Sequence, residues 1–327
     1  MKSVLVTGAG GFIGSNLVRE LVKQGYTVKA FVRYNSRNSW GNLELLAPEI
    51  RSNIEVYLGN IEDQETVQNA VKGCDTVLHL AALIAIPYSY MAPESYIDTN
   101  IKGTLNILRA SIKSKVSKVV HTSTSETYGT AMYTPIDEGH PLQGQSPYSA
   151  SKIGADKIAE SFYRSFDLPV AIIRPFNTYG MYQSARAVIP TIITQALSTT
   201  SKQIELGSLS PIRDLTYVKD VADAFIKMAH CDRCNGEVVN VGSGKGITIH
   251  GLAQKIIEII NPEIGIVKDT KRIRPEKSEV MELICDNKKA RELLTWKPAY
   301  SLREGLKETI AFMREHMHLY KPNQYTI

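Results

Sequence analysis

The sequence predicts an α/β protein with a doubly wound parallel sheet and a smaller second lobe, and three observations lead to that prediction. Short β-branched apolar runs alternate along the chain with segments whose apolar residues recur at helical spacing. Several glycines follow the first of these runs and open the first helical segment. The chain has 327 residues, more than the roughly 250 to 300 at which one hydrophobic core stops growing. Strands separated by helices form parallel sheets, so the alternation favours this class.

The predicted strands of the sheet follow one another through the first half of the chain. They cover residues 4–6, 27–32, 54–58, 76–80, 118–123 and 170–174. The predicted helices between them include residues 66–71, 99–113 and 149–166. A sheet of about seven strands is therefore expected.

The composition of the sequence changes after Asn177: proline and glycine become frequent, and the predicted elements follow a less regular order. We predict a first domain at residues 1–177 and a second, smaller α/β lobe at residues 178–327. The chain is expected to return to the first domain around residues 212–242. The elements predicted in this later part are a helix at 215–229, a strand at 238–241, and helices at 250–260 and 302–315.

Composition and charge exclude several classes of function. The formal net charge of +5 comes from 38 basic and 33 acidic residues, which are spread along the chain without a long run of one sign. The longest apolar stretch, residues 77–86, has about half the ~20 residues of a membrane helix. The cysteines, Cys74, Cys231, Cys234 and Cys285, are too scattered for a disulfide framework or a zinc site. We therefore expect a folded cytoplasmic protein that binds no nucleic acid, no membrane and no metal.

A glycine-rich turn between the first strand and the first helix predicts a dinucleotide-binding site. Glycines let the backbone approach a pyrophosphate, and the N-terminus of the following helix faces its negative charge. The position of the turn within a strand–turn–helix unit makes the pattern specific and identifies the sheet as a Rossmann sheet. The residues expected to contact the cofactor here are Gly8, Gly11, Phe12, Ile13 and Gly14.

The end of the second strand favours NADP over NAD. An acidic residue normally follows this strand when the ribose 2′-hydroxyl of NAD is bound, but no carboxylate occurs here before Glu44. Arg33 and Arg37 instead flank the position, with Ser36 as a further donor for a 2′-phosphate. We therefore expect NADP, with NAD as the alternative.

Tyr148 and Lys152 form a candidate catalytic pair. Residues that are four apart on a helix project from one face, so the ammonium group is expected to lower the pKa of the phenol. Tyr148 is then a usable base.

Several motifs together resemble the extended short-chain dehydrogenase/reductase family, in particular its nucleotide-sugar epimerases and 4,6-dehydratases. They are the glycine turn, Leu80-Ala81-Ala82, Thr124 ahead of Tyr128-Gly129, Tyr148 with Lys152, and Arg174-Pro-Phe-Asn177. The resemblance implies that Tyr148 is the base, that Lys152 holds the nicotinamide ribose, and that Thr124 hydrogen-bonds the 4-hydroxyl of the sugar. It also places Leu80, Ala81 and Ala82 at the cofactor, with Asn60 and Ile61 near adenine. Asn60 stands where the family often has aspartate.

Glu126 is the residue that favours a dehydratase. Oxidation at C4 of a hexose acidifies the C5 proton, and a nearby carboxylate is able to remove it before the C6 hydroxyl leaves. The family's 4,6-dehydratases resemble this chain in having glutamate there, whereas its C4 epimerases have a small neutral residue. Ser125 replaces the aspartate acid of dTDP-glucose dehydratases, so either Glu126 or a water held by Ser125 protonates the leaving hydroxyl.

The substrate residues are implied by the same resemblance. Arginines matching Arg213 and Arg274 pair with the nucleotide diphosphate, and Asn177 matches a contact to the phosphate or sugar. Residues 183–190, which include Arg186 and Val188, resemble dehydratases of NDP-linked N-acetylglucosamine, such as those of legionaminic acid synthesis.

These interpretations predict a 4,6-dehydratase of UDP- or GDP-N-acetylglucosamine that returns its hydride to C6. Three alternatives remain: a 5,6-dehydratase that returns the hydride to C4, a C4 epimerase, and a non-catalytic cofactor-binding regulator. The helices at 99–113 and 149–166 match the family's four-helix dimer interface, so a homodimer is expected.

Overall fold

The structure is a computed structural model that describes residues 2–198, 202–269 and 280–320. Its strands are β1 (Ser3–Thr7), β2 (Thr27–Arg33), β3 (Ile54–Gly59), β4 (Thr76–His79), β5 (Lys118–Thr122), β6 (Val170–Pro175), β7 (Asn177–Tyr179), β8 (Gln203–Leu206), β9 (Ile212–Tyr217), β10 (Val238–Val241), β11 (Gly246–Thr248), β12 (Gly265–Lys268) and β13 (Glu282–Leu283). Its α-helices are α1 (Phe12–Lys23), α2 (Pro48–Arg51), α3 (Gln64–Val71), α4 (Ile86–Met91), α5 (Pro93–Tyr96), α6 (Gly103–Lys113), α7 (Pro147–Phe166), α8 (Val188–Ser198), α9 (Val218–Ala229), α10 (Ile249–Ile260), α11 (Lys288–Leu294) and α12 (Leu302–Glu315).

Seven parallel strands form the main sheet, in the order β3-β2-β1-β4-β5-β6-β10. This confirms the predicted α/β class and the doubly wound Rossmann sheet. The direction of winding reverses between β1 and β4. Ligands of such sheets bind in the crevice at the carboxyl ends of the strands beside this reversal.

Both faces of the main sheet are covered by helices, because successive side chains of each strand point to opposite faces. Val4 and Val6 of β1 belong to the core on the side of α1 and α9, whereas Leu5 belongs to the core on the other side. That second core also contains Leu108 of α6 and Phe162 of α7. The sheet is therefore buried on both sides, and its strand ends are held rigidly.

The second lobe has its own hydrophobic core. Strand β9 pairs with β7, β11 and β13, and β8 pairs with β12. Helices α8, α10 and α12 enclose this core, which includes Ile192, Ile193, Leu252, Ile256 and Leu306. This lobe flanks the carboxyl end of β6.

One element of the later chain differs from the sequence prediction. Residues 215–217 were expected to begin a helix, but they belong to β9, and α9 begins only at Val218. Their pairing with β7 outweighs the local helical spacing here. Strand β10 lies in the stretch where the chain was expected to return to the first domain, and it pairs with β6 at the edge of the main sheet. The division of the chain at residue 177 stays a prediction.

The helix predicted at 99–113 starts differently from expectation. Residues Ile97–Lys102 form a π-helical segment, and the regular helix α6 begins at Gly103. Such wide turns occur often at functional sites, where they re-aim a side chain. Here the segment carries Asn100, whose contacts are described below.

Helices α6 and α7 pack beside each other in the first domain. Their outer surfaces expose the apolar side chains of Ile112, Tyr163 and Phe166. The homodimer expected through these helices stays a prediction. Among the helices that the structure describes, none combines the length and apolarity needed to cross a bilayer.

Candidate active site

A cavity of about 1090 Å³ lies at the carboxyl ends of the main-sheet strands. It slightly exceeds the range of about 300 to 1,000 Å³ that is usual for a single small ligand. Its walls come from the β1–α1 turn, the segments after β2, β4, β5 and β6, and the start of α7. Gly8, Thr124, Glu126, Tyr148 and Lys152 all line it, so one cavity unites the predicted cofactor and catalytic residues.

The glycine turn fits a dinucleotide because its backbone leaves no room for side chains. Gly8 has φ 67°, and a Cβ added there would lie 2.9 Å from the backbone nitrogen of Ala81. A Cβ on Gly14 would lie 2.9 Å from the Cα of Ala9 and would collide with the carbonyl oxygen of Gly8. Gly11 is the N-cap of α1, so the free amides of the first turn lie at the cavity wall. Phe12 and Ile13 line the same wall.

The loop after β2 brings one of its three predicted residues to the cavity. Arg33 lines the cavity, whereas Ser36 and Arg37 are exposed and lie outside its lining. Asn35 explains this shape, because its side-chain oxygen accepts hydrogen bonds from the backbone nitrogens of Arg37 (3.2 Å) and Ser39 (3.0 Å). Asn35 and Ser39, which the sequence analysis missed, line the cavity instead.

Of the other predicted cofactor residues, some line the cavity and others do not. Leu80 and Ala82 line the cavity, and Thr7 accepts hydrogen bonds from the backbone nitrogens of Leu80 and Ala81, both at 3.1 Å. Asn60 is exposed and Ile61 is buried against α6, and neither belongs to the cavity lining.

Helix α7 presents Tyr148 and Lys152 to the cavity. A capping box of Ser146 and Ser149 fixes the start of the helix. The Tyr148 ring packs edge-on against Tyr96, with 6.2 Å between the ring centroids. The Lys152 ammonium donates a 2.6 Å hydrogen bond to the carbonyl oxygen of Thr122, at the end of β5. The two side chains are therefore held by different partners.

The pKa of Tyr148 differs from the sequence expectation. Burial raises the pKa of its phenol, a hydrogen bond with Thr124 opposes the rise, and the nearby Glu126 carboxylate adds to it. In the chain by itself the pKa of the phenol lies above its ordinary value, so the lowering expected from Lys152 is not seen; the Lys152 ammonium bonds to the carbonyl oxygen of Thr122. A positive charge brought by a ligand would act in the lowering direction.

Glu126 and Ser125 lie in a 3₁₀ turn, Ser125–Tyr128, that follows β5. Thr124 caps this turn, and its hydroxyl accepts a 3.3 Å hydrogen bond from the backbone nitrogen of Glu126. Ser125 is buried and Glu126 is half-buried, and both line the cavity. The carboxylate of Glu126 therefore shares the space with the Thr124 hydroxyl and the Tyr148 phenol.

A buried ionic cluster lies behind Lys152, and the sequence analysis assigned it no role. Asp156 accepts hydrogen bonds from Arg174 Nη2 at 2.8 Å and Ser123 Oγ at 2.5 Å, and His121 Nε2 lies 3.2 Å from it. These partners and Lys152 hold the pKa of Asp156 below its ordinary value despite burial. The spacing of Asp156, four residues after Lys152, was the available signal for this cluster.

Only some of the predicted substrate residues line the cavity. Asn177 and Arg186 line the cavity, whereas Val188 packs against the core of the second lobe. Arg213 lies on β9, outside the cavity lining, and donates a 3.0 Å hydrogen bond to the carbonyl oxygen of Ile212. Arg274 lies outside the described residues.

Three buried polar atoms on the cavity wall have no hydrogen-bond partner within the described ranges: Asn177 Nδ2, Gln183 Oε1 and Thr122 Oγ1. Buried polar groups are nearly always paired in folded proteins. These atoms therefore mark positions where a polar ligand would complete the pairing.

An apolar flap that the sequence analysis missed covers one side of the cavity. Its lining residues are Ile84, Ala85, Ile86, Pro87 and Tyr90. The Asn100 side chain anchors the start of the flap through two hydrogen bonds to the backbone of Leu83 (2.8 and 3.0 Å) and donates a third to Ser151 Oγ (2.9 Å). The π-helical segment thus ties the flap to α7.

In the part of the chain that the structure describes, no group of three His, Cys, Asp or Glu side chains is arranged to hold a metal. Cys231 and Cys234 are free thiols at a short 3₁₀ turn, and neither belongs to the cavity lining.

Comparison with known proteins agrees with this geometry. Residues 5–309 match the protein family described as GDP-mannose 4,6 dehydratase. A putative UDP-glucose 4-epimerase from Methanocaldococcus jannaschii is 32% identical, with 96% of this chain and 99% of the relative covered. A UDP-N-acetylglucosamine 4-epimerase structure from Methanobrevibacter ruminantium is 30% identical with a TM-score of 0.87, covering 97% of this chain and 99% of that one. A dTDP-glucose 4,6-dehydratase structure from Streptomyces venezuelae, solved with NAD bound, is 27% identical with a TM-score of 0.85, covering 98% and 100%.

The family match spans nearly the whole chain, and it confirms the resemblance drawn from the sequence motifs. The relatives include both dehydratases and epimerases. The chain therefore belongs to the GDP-mannose 4,6-dehydratase family of extended short-chain dehydrogenases/reductases, the NAD-dependent nucleotide-sugar dehydratases and epimerases.

Proposed function

We propose that the protein is a nucleotide-sugar 4,6-dehydratase that acts on UDP- or GDP-N-acetylglucosamine. The observation that carries the proposal is the position of Glu126, whose carboxylate lines the same cavity as Thr124 and Tyr148. A C4 epimerase needs only the base and the hydride carrier. A carboxylate beside the base supplies what the elimination needs in addition.

The first step is oxidation at C4. Tyr148 removes the proton of the 4-hydroxyl, and Thr124 orients that hydroxyl by a hydrogen bond. A bound nicotinamide dinucleotide supplies the hydride acceptor and later the hydride donor. Lys152 binds the ribose of this cofactor and contributes positive charge beside the phenol.

The second step is elimination of water. The C4 ketone makes the C5 proton acidic, and Glu126 removes that proton while the C6 hydroxyl leaves. Glu126, or a water held by Ser125, protonates the departing hydroxyl. Hydride return to C6, with a proton delivered to C5 from water, would then give a 4-keto-6-deoxy sugar.

The cofactor is NAD or NADP, and the glycine turn supports either. NAD is bound in the Streptomyces venezuelae relative. The absence of an acidic residue after β2 and the position of Arg33 at the cavity support NADP, although Ser36 and Arg37 lie outside the lining.

The apolar flap and the unpaired polar atoms support an N-acetylated hexose. Ile84, Ile86 and Pro87 offer apolar surface for the methyl group of an acetamide. The Asn177 amide is an available donor for a phosphate, hydroxyl or carbonyl oxygen. Arg186, and by family resemblance Arg213 and Arg274, would bind the diphosphate.

Substitution of Glu126 tests the proposal directly. Incubation with UDP- or GDP-N-acetylglucosamine should give a product lighter by one water, and NDP-glucose should react more slowly. The E126Q variant should lose this product by about 10²- to 10⁴-fold, the usual contribution of a general base. The exposed Glu258 of α10 provides a matched control, E258Q, that should keep full activity.

The same assay separates the alternative reactions. An epimerase would leave the mass of the sugar unchanged and would tolerate E126Q. Substrate deuterated at C4 should carry the label to C6 under the proposed reaction, whereas a 5,6-dehydratase would retain it at C4. A protein that binds cofactor but converts no sugar would overturn the proposal.

A further inference from the structure

We propose that Asp156 is a positioning residue for the reaction, because its buried carboxylate is the counter-ion that keeps Lys152 protonated in its catalytic place. The inference rests on the proposed function only through the role given to Lys152. It assigns a role to a side chain that does not touch the cavity.

The geometry places Asp156 in line with the catalytic pair. Tyr148, Lys152 and Asp156 are spaced four apart on α7, so they form one stripe along the helix. Lys152 is 4% exposed and Asp156 is 2% exposed. The Lys152 ammonium is oriented by the carbonyl oxygen of Thr122, which leaves it without a directly bonded anion within the described residues. Asp156 accepts a hydrogen bond from Ser123, the residue after Thr122, so the ammonium and the carboxylate are held by adjacent residues at the end of β5.

The charges around Lys152 come from every element packed against it. Lys152 interacts by charge with Asp156 on α7, His79 on β4 and His121 on β5. Tyr148 and Glu126 line the same cavity as Lys152, and Arg174 on β6 pairs with Asp156. Burial lowers the pKa of both His79 and His121, which are therefore neutral near pH 7. Glu126 is half-buried on the cavity side. Among the described residues, this leaves Asp156 as the fully buried carboxylate between two buried cations, Lys152 and Arg174.

The effect on Lys152 has a definite sign. Burial lowers the pKa of Lys152 to about 8, and Asp156 is the charge that opposes this fall. Removal of the carboxylate therefore moves the pKa of Lys152 further down, so that the neutral amine is present at physiological pH. A neutral Lys152 no longer adds positive charge beside Tyr148, and activity is lost on the alkaline side.

A purely structural role for Asp156 is the competing explanation, because the carboxylate also pairs with Arg174. Arg174 has further partners: its Nε donates to Ser123 Oγ at 3.1 Å and its Nη1 donates to Tyr128 Oη at 2.8 Å. The causes of the Lys152 shift are burial and the Asp156 carboxylate. The two roles can therefore be separated by substituting Asp156 and Arg174 in turn.

The test is an NMR titration of the protein labelled with ¹³C at lysine Cε, in which K152R identifies the Lys152 signal. In D156N, the titration midpoint of Lys152 should fall by about 1 to 3 pH units, the range expected for loss of a close opposite charge. In D156E, which restores the charge, the midpoint should recover. In R174M, which removes a buried charge but keeps Asp156, it should not fall.

The double variant D156N/R174M provides a second test in case D156N alone does not fold. Removing both ions leaves no unpaired buried arginine, and Lys152 still loses its counter-ion, so the midpoint should fall as in D156N. An unchanged Lys152 midpoint in a folded variant that lacks Asp156 would overturn the inference. The titration needs no turnover, so it remains decisive even if the proposed dehydratase reaction fails. Where turnover is measured, the alkaline limb of kcat should move to lower pH in D156N and return in D156E.

Discussion

The two halves of the cavity are built in different ways. The cofactor half is shaped by backbone, since the glycine turn approaches the segment after β4 so closely that a Cβ at Gly8 would lie 2.9 Å from the nitrogen of Ala81. The half that we propose for the substrate is shaped by side chains, among them Asn177 and Gln183 with polar atoms unpaired among the described residues, and by the apolar flap. A backbone-built site tolerates little change and serves one ligand class. A side-chain-built site can be altered one group at a time, which agrees with relatives that perform different reactions on different sugars.

The largest effect on ligand affinity should follow from adding one methyl group to the cofactor half. In G14A, the new Cβ collides with the carbonyl oxygen of Gly8 and the Cα of Ala9, which are backbone atoms that cannot rotate away. Overpacking of this kind costs about 1 to 3 kcal/mol, so affinity for the dinucleotide should fall by about 5- to 150-fold. Fluorescence titration with NAD and NADP would measure it.

The matched control for this prediction is G265A. A Cβ on Gly265 meets its nearest atoms at 3.8 Å, so the same substitution has room there and should leave cofactor affinity unchanged. If cofactor affinity fell equally in the two variants, general destabilisation, and not the shape of the glycine turn, would explain the result.

The difference between the halves also explains what the sequence could predict. The glycine turn is recognisable in the sequence, because its function depends on residues that are adjacent in the chain. Its place between β1 and α1 therefore followed from the sequence alone. Thr124, Glu126, Tyr148 and Lys152 were likewise assigned from motifs at the ends of predicted elements, and the structure brings them into one cavity.

Features that depend on particular side-chain or strand contacts, and not on a motif, were missed or misplaced. The flap is fixed by Asn100 from a π-helical segment that has no sequence signature. Ser36 and Arg37 were expected at the cofactor, but the side chain of Asn35 folds their loop away. Residues 215–217 became a strand because of pairing partners far along the chain. For the flap and for β9 a tertiary contact outweighed the local pattern, whereas the loop after β2 is shaped by a local turn of the Asn35 side chain.

An intermediate effect is expected in the substrate half from N177A. The substitution removes one donor, Nδ2, which has no partner among the described residues, while the backbone pairing of Asn177 with Leu215 in β7–β9 stays intact. Loss of one hydrogen bond costs about 0.5 to 1.5 kcal/mol, so KM for the nucleotide sugar should rise by about 2- to 12-fold. Affinity for the dinucleotide should stay the same. If N177A weakened binding of the dinucleotide and not of the sugar, the assignment of Asn177 to the substrate half would be wrong. The control is N53A, a substitution at an exposed position.

The smallest effect is expected at the edge of the cofactor half, where a side chain and not the backbone makes the contact. Arg33 is exposed, so its attraction for a 2′-phosphate is screened by solvent and is worth about 0.2 to 1 kcal/mol, as for other exposed ion pairs. In R33A, affinity for NADP relative to NAD should therefore fall by about 2-fold, and the difference should shrink further as salt is added. R37A should change the ratio less, because Arg37 lies outside the cavity lining. If affinity for NADP relative to NAD fell more in R37A than in R33A, the loop after β2 would have to rearrange around the cofactor. This edge of the cofactor half would then be as adaptable as the substrate half.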